Sequence, residues 1–240
     1  MSLLLAILVA AISPADAIKT VLNSRDATSP ARYEIALKSV YRDAANGKPL
    51  QQFIVGVTTD DAKLAKRYLD ESRDAIRKLA ETKNNPLAWY LLSMEKNDYG
   101  LLKRAADGGN VQAMNALGTI ITQEAFKMKQ SETNRIAKLL QRSYGYYRAA
   151  ALQRDPNGFV NLGTCYLHGL GCKRDLRLAF ECYLSAAKAG HPAAMDYVSA
   201  SYEYGNGVKK DSEMSLYWRM RGEAVRGNQA AAEWLKGGVK

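Results

Sequence analysis

The sequence contains few of the residues that enzymes use for acid–base or nucleophilic chemistry. Among its 240 residues there are two histidines, His168 and His191. It has no H-E-x-x-H metal motif, no G-x-S-x-G nucleophile motif, and neither a G-K-[ST] nor a G-x-G-x-x-G phosphate-binding loop. Cys165 lies three residues before His168, but no third group is in place to orient the histidine. We therefore expect no enzymatic activity, no cofactor and no metal ion.

Long hydrophobic runs are also lacking. The apolar run Leu3–Ile12 has ten residues, whereas a membrane-spanning helix needs about 20. Pro14 interrupts the run, and Ala15-Asp16-Ala17 has the A-x-A form of a signal-peptidase site. Although no Lys or Arg precedes the run, the segment predicts an export signal cleaved after Ala17, and hence a periplasmic or secreted protein. The alternative is a retained, buried N-terminal helix in a cytoplasmic protein.

Positive charge is in excess but is not concentrated. The 34 Lys and Arg residues exceed the 24 Asp and Glu residues, which gives a formal net charge of +10. The densest basic group, within residues 60–78, is interleaved with acidic side chains, as on a solvated helix face. This distribution does not favour nucleic-acid binding. A net positive protein does attract an acidic protein surface, so we expect protein partners, with an acidic surface as one option.

A repeat near the C-terminus is the most informative feature present. Two consecutive segments share a tyrosine, two glycines and an aspartate at a constant separation of 36 residues. These residues are Tyr166, Gly169, Gly171 and Asp175 in the first segment, and Tyr202, Gly205, Gly207 and Asp211 in the second. A period of this length indicates stacked structural units rather than a single globular core.

Each unit has the sequence signals of two helices joined by a glycine turn. In the second of these two repeat segments, Val198 and Tyr202 are four residues apart, which is the spacing of one helix face. Gly205-Asn206-Gly207 ends this helix, because glycine readily adopts a positive φ. Asp211 then supplies the carboxylate that an N-cap needs. A second helix is predicted from about residue 212 to residue 225.

This arrangement resembles the Sel1-like repeat, a family of α/α solenoids related to tetratricopeptide arrays. The resemblance covers residues 158–228, although Ser199 and Ser215 replace the family's glycine and alanine in the last unit. It implies an all-α fold, an α/α solenoid of helix pairs with a helical N-terminal extension. The structural positions that it marks are Gly163, Tyr166, Gly169, Gly171, Asp175 and Gly190, followed by Tyr202, Gly205, Gly207 and Asp211.

These patterns divide the chain into segments. Residues 1–17 form the predicted signal peptide, and residues 18–85 a helical N-terminal extension that caps the array. The solenoid is predicted over 86–240. It comprises a degenerate unit at 86–110, a long unit at 111–155, clear units at 156–191 and 192–228, and a capping helix at 229–240. The long unit lacks the Gly-x-Gly turn, so we expect its first helix to be extended.

The cysteines do not indicate a zinc site. There are three, and within the repeat Cys172 takes the place of Val208 and Cys182 that of Trp218. Cysteine behaves as a small hydrophobe at such packing positions. A disulfide between Cys172 and Cys182 is an alternative in an oxidising compartment, and the sequence leaves it open.

The resemblance also implies where a partner binds. In tetratricopeptide-like solenoids the first helix of each unit lines the inner surface. Tyr197 and Tyr204 are expected to contribute most, because aromatic side chains dominate interface energies; packing against the neighbouring unit is the alternative for both. The predicted partner-binding residues are Asn115, Thr119, Asn161, Thr164, His168, Tyr197, Ser201 and Tyr204.

A cluster of tyrosines lies on the second helix of the long unit. It consists of Tyr144, Tyr146 and Tyr147. Packing between units is the main interpretation, and an exposed binding patch is the alternative.

The function that these features predict is that of a protein-binding scaffold of the bacterial envelope. Exported proteins that resemble this family include immunity proteins, so the first alternative is a periplasmic immunity protein that sterically neutralises a secreted toxin. A further alternative is an intracellular adaptor in a protein-quality-control complex, as in eukaryotic members of the family. The sequence does not separate these roles, and it leaves the oligomeric state open.

Overall fold

The computed structural model describes residues 30–237, which form twelve α-helices, one 3₁₀ turn at Gln130–Glu132 and no strand. The predicted all-α fold of paired helices is confirmed, whereas the predicted signal peptide lies outside the described residues. The helices are α1 (Pro30–Ala45), α2 (Pro49–Thr58), α3 (Ala62–Lys83), α4 (Pro86–Lys96), α5 (Tyr99–Asp107), α6 (Val111–Lys127), α7 (Thr133–Leu152), α8 (Pro156–His168), α9 (Leu176–Lys188), α10 (Pro192–Tyr204), α11 (Ser212–Val225) and α12 (Gln229–Lys236).

The chain divides into two compact units, with the boundary between residues 113 and 114, inside α6. In the first unit, α2 and α3 pack closely at Gly56, where an added Cβ would lie 2.7 Å from Leu69 Cγ. Phe53, Ile54 and Ile76 supply fully buried side chains to this part of the core. Close helix contact and apolar burial together stabilise this hairpin.

In the first unit, capping side chains and a left-handed asparagine mark the helix ends. Asp61 accepts hydrogen bonds from the backbone N–H groups of the first turn of α3, and Asn85 accepts one from Ala88 N. Between α3 and α4, Asn84 adopts a left-handed conformation with φ +47°. Helix α3 therefore ends at Lys83, just before this left-handed residue, and α4 begins at Pro86.

In the second unit, a side chain caps every helix start from α8 to α12. Each capping side chain accepts a hydrogen bond from the backbone N–H three residues later, which satisfies a donor that the helix leaves unpaired. The capping residues are Asp155, Asp175, His191, Asp211 and Asn228. His191 does this through Nδ1, 3.2 Å from Ala194 N, so it is a structural counterpart of the aspartates.

The Gly-x-Gly turns bring successive helix pairs into contact. Gly171 has φ +72° and Gly207 has φ +78°. A Cβ added to Gly171 would lie 2.2 Å from Leu140 O on α7, and one added to Gly207 would lie 2.0 Å from Leu176 O on α9. Leu140 and Leu176 are themselves 36 residues apart, so the same backbone contact recurs with the period of the repeat.

Aromatic side chains form a second repeated contact between pairs. The rings of Tyr144 and Tyr166 meet edge to face at 5.9 Å, and their hydroxyl oxygens are 3.1 Å apart. The rings of Phe180 and Tyr202, one period later, meet in the same way at 5.3 Å. Such geometry is favourable for aromatic pairs. For Tyr144, the interpretation as packing between units is confirmed.

The long unit accommodates its extra residues by lengthening both helices. Helix α6 has 17 residues where α8 has 13, and α7 has 20 where α9 has 13. Because Leu140 is equivalent to Leu176, the first residue of α9, the added part of α7 is its N-terminal stretch, residues 133–139. The predicted extension of the first helix is confirmed. The extension of the second helix was not predicted, because nothing in the sequence marks where α7 begins.

A matched pair of glycine substitutions tests the contact between helix pairs. Gly169 and Gly171 have nearly the same φ, +73° and +72°, but the nearest atom to an added Cβ is 3.5 Å away at Gly169 and 2.2 Å away at Gly171. Both substitutions to alanine incur a cost of about 1 kcal/mol for positive φ. We expect Gly171→Ala to lower the free energy of unfolding by a further ~1–3 kcal/mol, because the methyl group meets backbone that does not move freely.

Urea unfolding followed by circular dichroism measures the difference between the two variants. Equal stability of Gly169→Ala and Gly171→Ala would show that the turn does not pack against α7.

Candidate protein-binding face

The exposed sides of α6, α8 and α10 form one surface, which we call the first-helix face. It is defined by residues at helical spacing on each helix. On α10, Tyr197 and Tyr204 are seven residues apart and 41% and 62% exposed. The remaining residues of the face are Asn115, Thr119 and Phe126 on α6, and Asn161, Thr164 and His168 on α8.

Asparagine side chains join α6 to α8. Asn161 Nδ2 donates to Asn115 Oδ1 at 3.2 Å, and Asn115 Nδ2 donates to Asp155 Oδ2 at 2.8 Å. The same carboxylate oxygen accepts from Gly158 N, also at 2.8 Å, as the cap of α8. The two predicted partner-binding asparagines are therefore both half-buried and already hydrogen-bonded within the chain.

A contact among a glycine, a threonine and a tyrosine recurs beneath the face. Tyr183 of α9 lies against Gly163 of α8, where an added Cβ would be 2.8 Å from ring atom Cε1. The tyrosine hydroxyl and Thr164 Oγ1 are 3.2 Å apart. Burial raises the pKa of Tyr183 to about 12, partly opposed by this hydrogen bond. The hydroxyl therefore stays protonated at physiological pH.

The same arrangement occurs one unit earlier. Tyr147 of α7 lies against Gly118 of α6, with an added Cβ 2.6 Å from Cε1, and its hydroxyl donates to Thr119 Oγ1 at 3.3 Å. Tyr147 is buried and packs with Leu162 and Cys165 of α8, so for this residue too the interpretation as packing between units is confirmed. Thr119 and Thr164 each use their hydroxyl group to hold the ring that supports the face.

A hollow lies between α8 and α10, with α9 as its floor. Tyr183 and Tyr197 stack beside it, with ring centroids 4.4 Å apart and ring planes at 15°. The wall also contains Leu167 and Phe180, and Ser201 lines it although only 7% of that residue is exposed. The lining is mainly apolar, which suits the side chain of a bound partner better than a charged ligand.

One residue of the face was missed by the sequence analysis. Phe126 is 64% exposed and lies seven residues after Thr119, on the same side of α6. It lies in the extension of α6, which has no counterpart in the other units. Helical spacing continued beyond Thr119 would have indicated it.

The cysteines are free thiols in the part of the chain that the structure describes. Cys165 is buried, whereas Cys172 and Cys182 are partly buried and pack around it. Burial raises the pKa of Cys165 to about 12 and that of Cys182 to about 11. Because the thiolate is the nucleophile, these environments do not activate either sulfur atom.

Residues 30–237 contain neither a membrane-spanning helix nor a cluster of metal ligands. No helix in this range has the length and apolarity to cross a bilayer. Nor do three histidine, cysteine or acidic side chains gather there as a metal site would require.

The repeated turns, caps and ring contacts define an α-helical repeat protein. The Sel1 repeat family model matches residues 160–191 and 192–218, which are the two units with complete Gly-x-Gly turns. Residues 160–218 therefore consist of Sel1 repeats, as the resemblance predicted for this part of the chain.

Comparison with known proteins finds similarity over part of the chain. It is 35% identical over 96 residues to mouse DAP3-binding cell death enhancer 1, and 28% identical over 132 residues to the Arabidopsis thaliana ERAD-associated E3 ubiquitin-protein ligase component HRD3B. These alignments cover 40% and 46% of this chain but only 17% and 20% of the relatives. The chain thus matches about a fifth of the length of each relative.

Two solved bacterial structures are also similar. A Sel1 repeat protein from Oxalobacter formigenes is 24% identical, with a TM-score of 0.46, over 53% of this chain and 90% of that one. The protective antigen c5321 of uropathogenic Escherichia coli is 16% identical, with a TM-score of 0.38, over 83% and 52% of the two chains.

Thiol reactivity tests the burial of the cysteines. At pH 8.5 we expect Cys172 to be alkylated first by iodoacetamide. Cys165 and Cys182 should react far more slowly, because their raised pKa values leave little thiolate at this pH. Peptide mass spectrometry over time, with the urea-unfolded protein as the control, follows each site. Fewer than three alkylated cysteines after unfolding without reductant would instead reveal a disulfide.

A second glycine pair tests the packing of tyrosine beneath the face. Gly163→Ala forces a methyl group against the ring of Tyr183, whereas an added Cβ at Gly145, in the middle of α7, meets nothing within 4 Å. Both changes stabilise the helix itself by about 1 kcal/mol, because alanine has a higher helix propensity than glycine. We expect Gly145→Ala to stabilise the protein by that amount, and Gly163→Ala to destabilise it by about 1 kcal/mol net, because overpacking costs more than the gain. Thermal unfolding measures both, and stabilisation of equal size would contradict the ring contact.

Proposed function

We propose that this protein is a non-enzymatic scaffold of the bacterial envelope that binds a partner protein with its first-helix face. The observation that supports this most strongly is the exposure of large side chains on that face. Phe126, Tyr197 and Tyr204 are 64%, 41% and 62% exposed. Large aromatic side chains exposed on one face are typical of protein-binding surfaces.

The hollow between α8 and α10 gives the face an anchor point. Interface energy concentrates where a side chain enters a well-packed pocket. The ring of Tyr197 is held against Tyr183, so this wall is ordered before a partner arrives. A preformed wall lowers the entropic cost of binding.

The envelope location rests on the predicted signal sequence that ends at Ala17. Two narrower roles remain within the proposal. An immunity protein would cover the active cleft of a toxin with this face. An adaptor would hold subunits of a larger complex; the similarity to HRD3B, which is a ligase component in Arabidopsis thaliana, supports an adaptor of this kind.

Substitution of the exposed tyrosines tests the proposal. Affinity-tagged full-length protein is expressed in its native host, and proteins that co-purify in stoichiometric amount are identified by mass spectrometry. We expect Tyr204→Ala to lower the retention of such a partner about tenfold, since truncation of an aromatic hot spot costs 1–2 kcal/mol or more. Tyr197→Ala should have a similar effect.

Tyr99 provides a matched control. It is 44% exposed and lies on α5, which is not one of the three helices that define the first-helix face. Tyr99→Ala should retain the partner fully, and all three variants should unfold at nearly the same temperature. Undiminished retention by Tyr197→Ala and Tyr204→Ala would disprove binding through this face.

The identity and compartment of the partner distinguish the narrower roles. A single toxin in the periplasmic fraction supports the immunity role, and subunits of an envelope complex support the adaptor. A partner confined to the cytoplasm would contradict the envelope location.

A further inference from the structure

Exposed lysines collect at one end of the second unit, next to the first-helix face. They lie in the connections between the two helices of each pair, or beside those connections. We call them the lysine rim. They are Lys127, Lys129, Lys138, Lys173, Lys209 and Lys210.

Contacts between helix pairs place the α8–α9 turn beside α7 and the α10–α11 turn beside α9. Lys138 of α7 lines the same shallow hollow as Gly169, Gly171 and Cys172 in the turn between α8 and α9. The next turn continues the row, since Gly207 lies against the first residue of α9. Lys138 and the lysines of the next two turns therefore follow one another across three helix pairs, and Lys127 and Lys129 lie at the end of α6 and just after it.

The rim is short of compensating negative charge. None of its six lysines forms an ion pair with a residue that the structure describes. Several nearby acidic groups are already engaged, because Asp175 and Asp211 cap helices and Glu132 and Glu181 pair with arginines at 3.3 and 3.0 Å. The glutamates left at this end are Glu124, Glu203 and Glu213. Six lysines without an ion pair thus stand against three glutamates that neither cap a helix nor pair with an arginine.

Exposed rings lie directly beside the rim. Phe126 immediately precedes Lys127, and Tyr204 ends the helix that leads to Lys209 and Lys210. His168 occupies the position equivalent to Tyr204, one period earlier, and is also exposed. The rim and the first-helix face therefore meet along a border of ring side chains.

We propose that the lysine rim binds an acidic, extended segment of the partner protein, which also places an apolar side chain in the hollow between α8 and α10. This inference rests on the protein-binding role proposed above. Neighbouring helices pack about 8–10 Å apart, so a segment crossing the three pairs spans roughly 20 Å, or about six to eight extended residues. Carboxylates on such a segment meet lysines that have no competing ion pair.

A polyanion fits the rim less well than an acidic peptide. Glu124, Glu203 and Glu213 interrupt the row of lysines and repel the evenly spaced charges of a phosphate backbone. A peptide can place its carboxylates opposite lysines and its uncharged residues opposite glutamates. The mainly apolar hollow, lined by Leu167 and Phe180, takes a leucine or phenylalanine side chain.

Synthetic peptides test the proposal. The probes are two fluorescein-labelled peptides of about 12 residues that share leucine and phenylalanine residues; one carries several glutamates, and the other carries glutamine in their place. Fluorescence anisotropy with the full-length protein gives Kd for each. We expect the acidic peptide to bind about tenfold more tightly, and its affinity to fall as salt rises from about 50 to 300 mM, because exposed charges are screened.

Charge-matched variants locate the binding. The rim variant combines Lys173→Gln, Lys209→Gln and Lys210→Gln. The control variant combines Arg148→Gln, Arg154→Gln and Lys188→Gln, which removes the same charge from exposed positions outside the connections that form the rim. We expect the rim variant to lose about tenfold in affinity for the acidic peptide and the control variant to lose less than about twofold.

Three outcomes would overturn the proposal. Equal binding of the two peptides would show that the rim does not select acidic residues. Equal losses in the two variants indicate attraction by net charge alone. Tighter binding of a labelled oligothymidylate, or of vesicles containing phosphatidylglycerol, through the same lysines would identify a polyanion or a membrane surface instead.

The two proposals can fail separately. If Tyr204→Ala lowers partner retention but the peptides bind equally, the lysine rim alone is refuted. If the acidic peptide depends on the rim but the natural partner stays bound to Tyr204→Ala, binding through the first-helix face is refuted.

Discussion

The second unit depends on the close approach of glycine to the backbone of the preceding helix pair. At Gly171 and Gly207 the turn lies so near a carbonyl oxygen that no side chain fits between them. Both residues also need a positive φ, which glycine adopts without strain. One residue type thus meets two requirements at once. Because the contact recurs every 36 residues, it sets how each helix pair lies on the one before.

Other repeated contacts follow from that spacing. Once the turns are in place, Tyr144 meets Tyr166 and Phe180 meets Tyr202 across the same interface. Glycines in α6 and α8 then let tyrosine rings lie directly against the helix backbone. These buried rings hold threonine hydroxyls on the first-helix face. The face is therefore supported by the same packing that stabilises the fold, and several of its polar groups are already hydrogen-bonded within the chain.

The groups available to a partner are mostly aromatic rings and lysines. Asn115 and Asn161 bond to each other, and Ser201 is nearly buried. Phe126, Tyr197 and Tyr204 remain exposed, and the lysines beside them have no carboxylate partner within the described residues. Aromatic rings supply contact area at low entropic cost, whereas unpaired charges favour one sign of partner. This combination suits a protein segment that is both acidic and apolar.

The sequence by itself determined the helix pairs, their caps and the glycine turns, because these depend on residues close together in the chain. Asp175, Asp211 and the Gly-x-Gly turns could be recognised from spacing alone. Only the tertiary structure decided that α7 is extended, that Asn161 is hydrogen-bonded to Asn115, and that Phe126 and Tyr204 are exposed on the same face. The start of α7 has no mark in the sequence, and the other two outcomes depend on side chains 40 or more residues apart, such as Asn115 and Asp155, whose meeting is fixed by how the pairs stack. The glycine turns can be recognised in the sequence, but the backbone atoms that each turn packs against cannot.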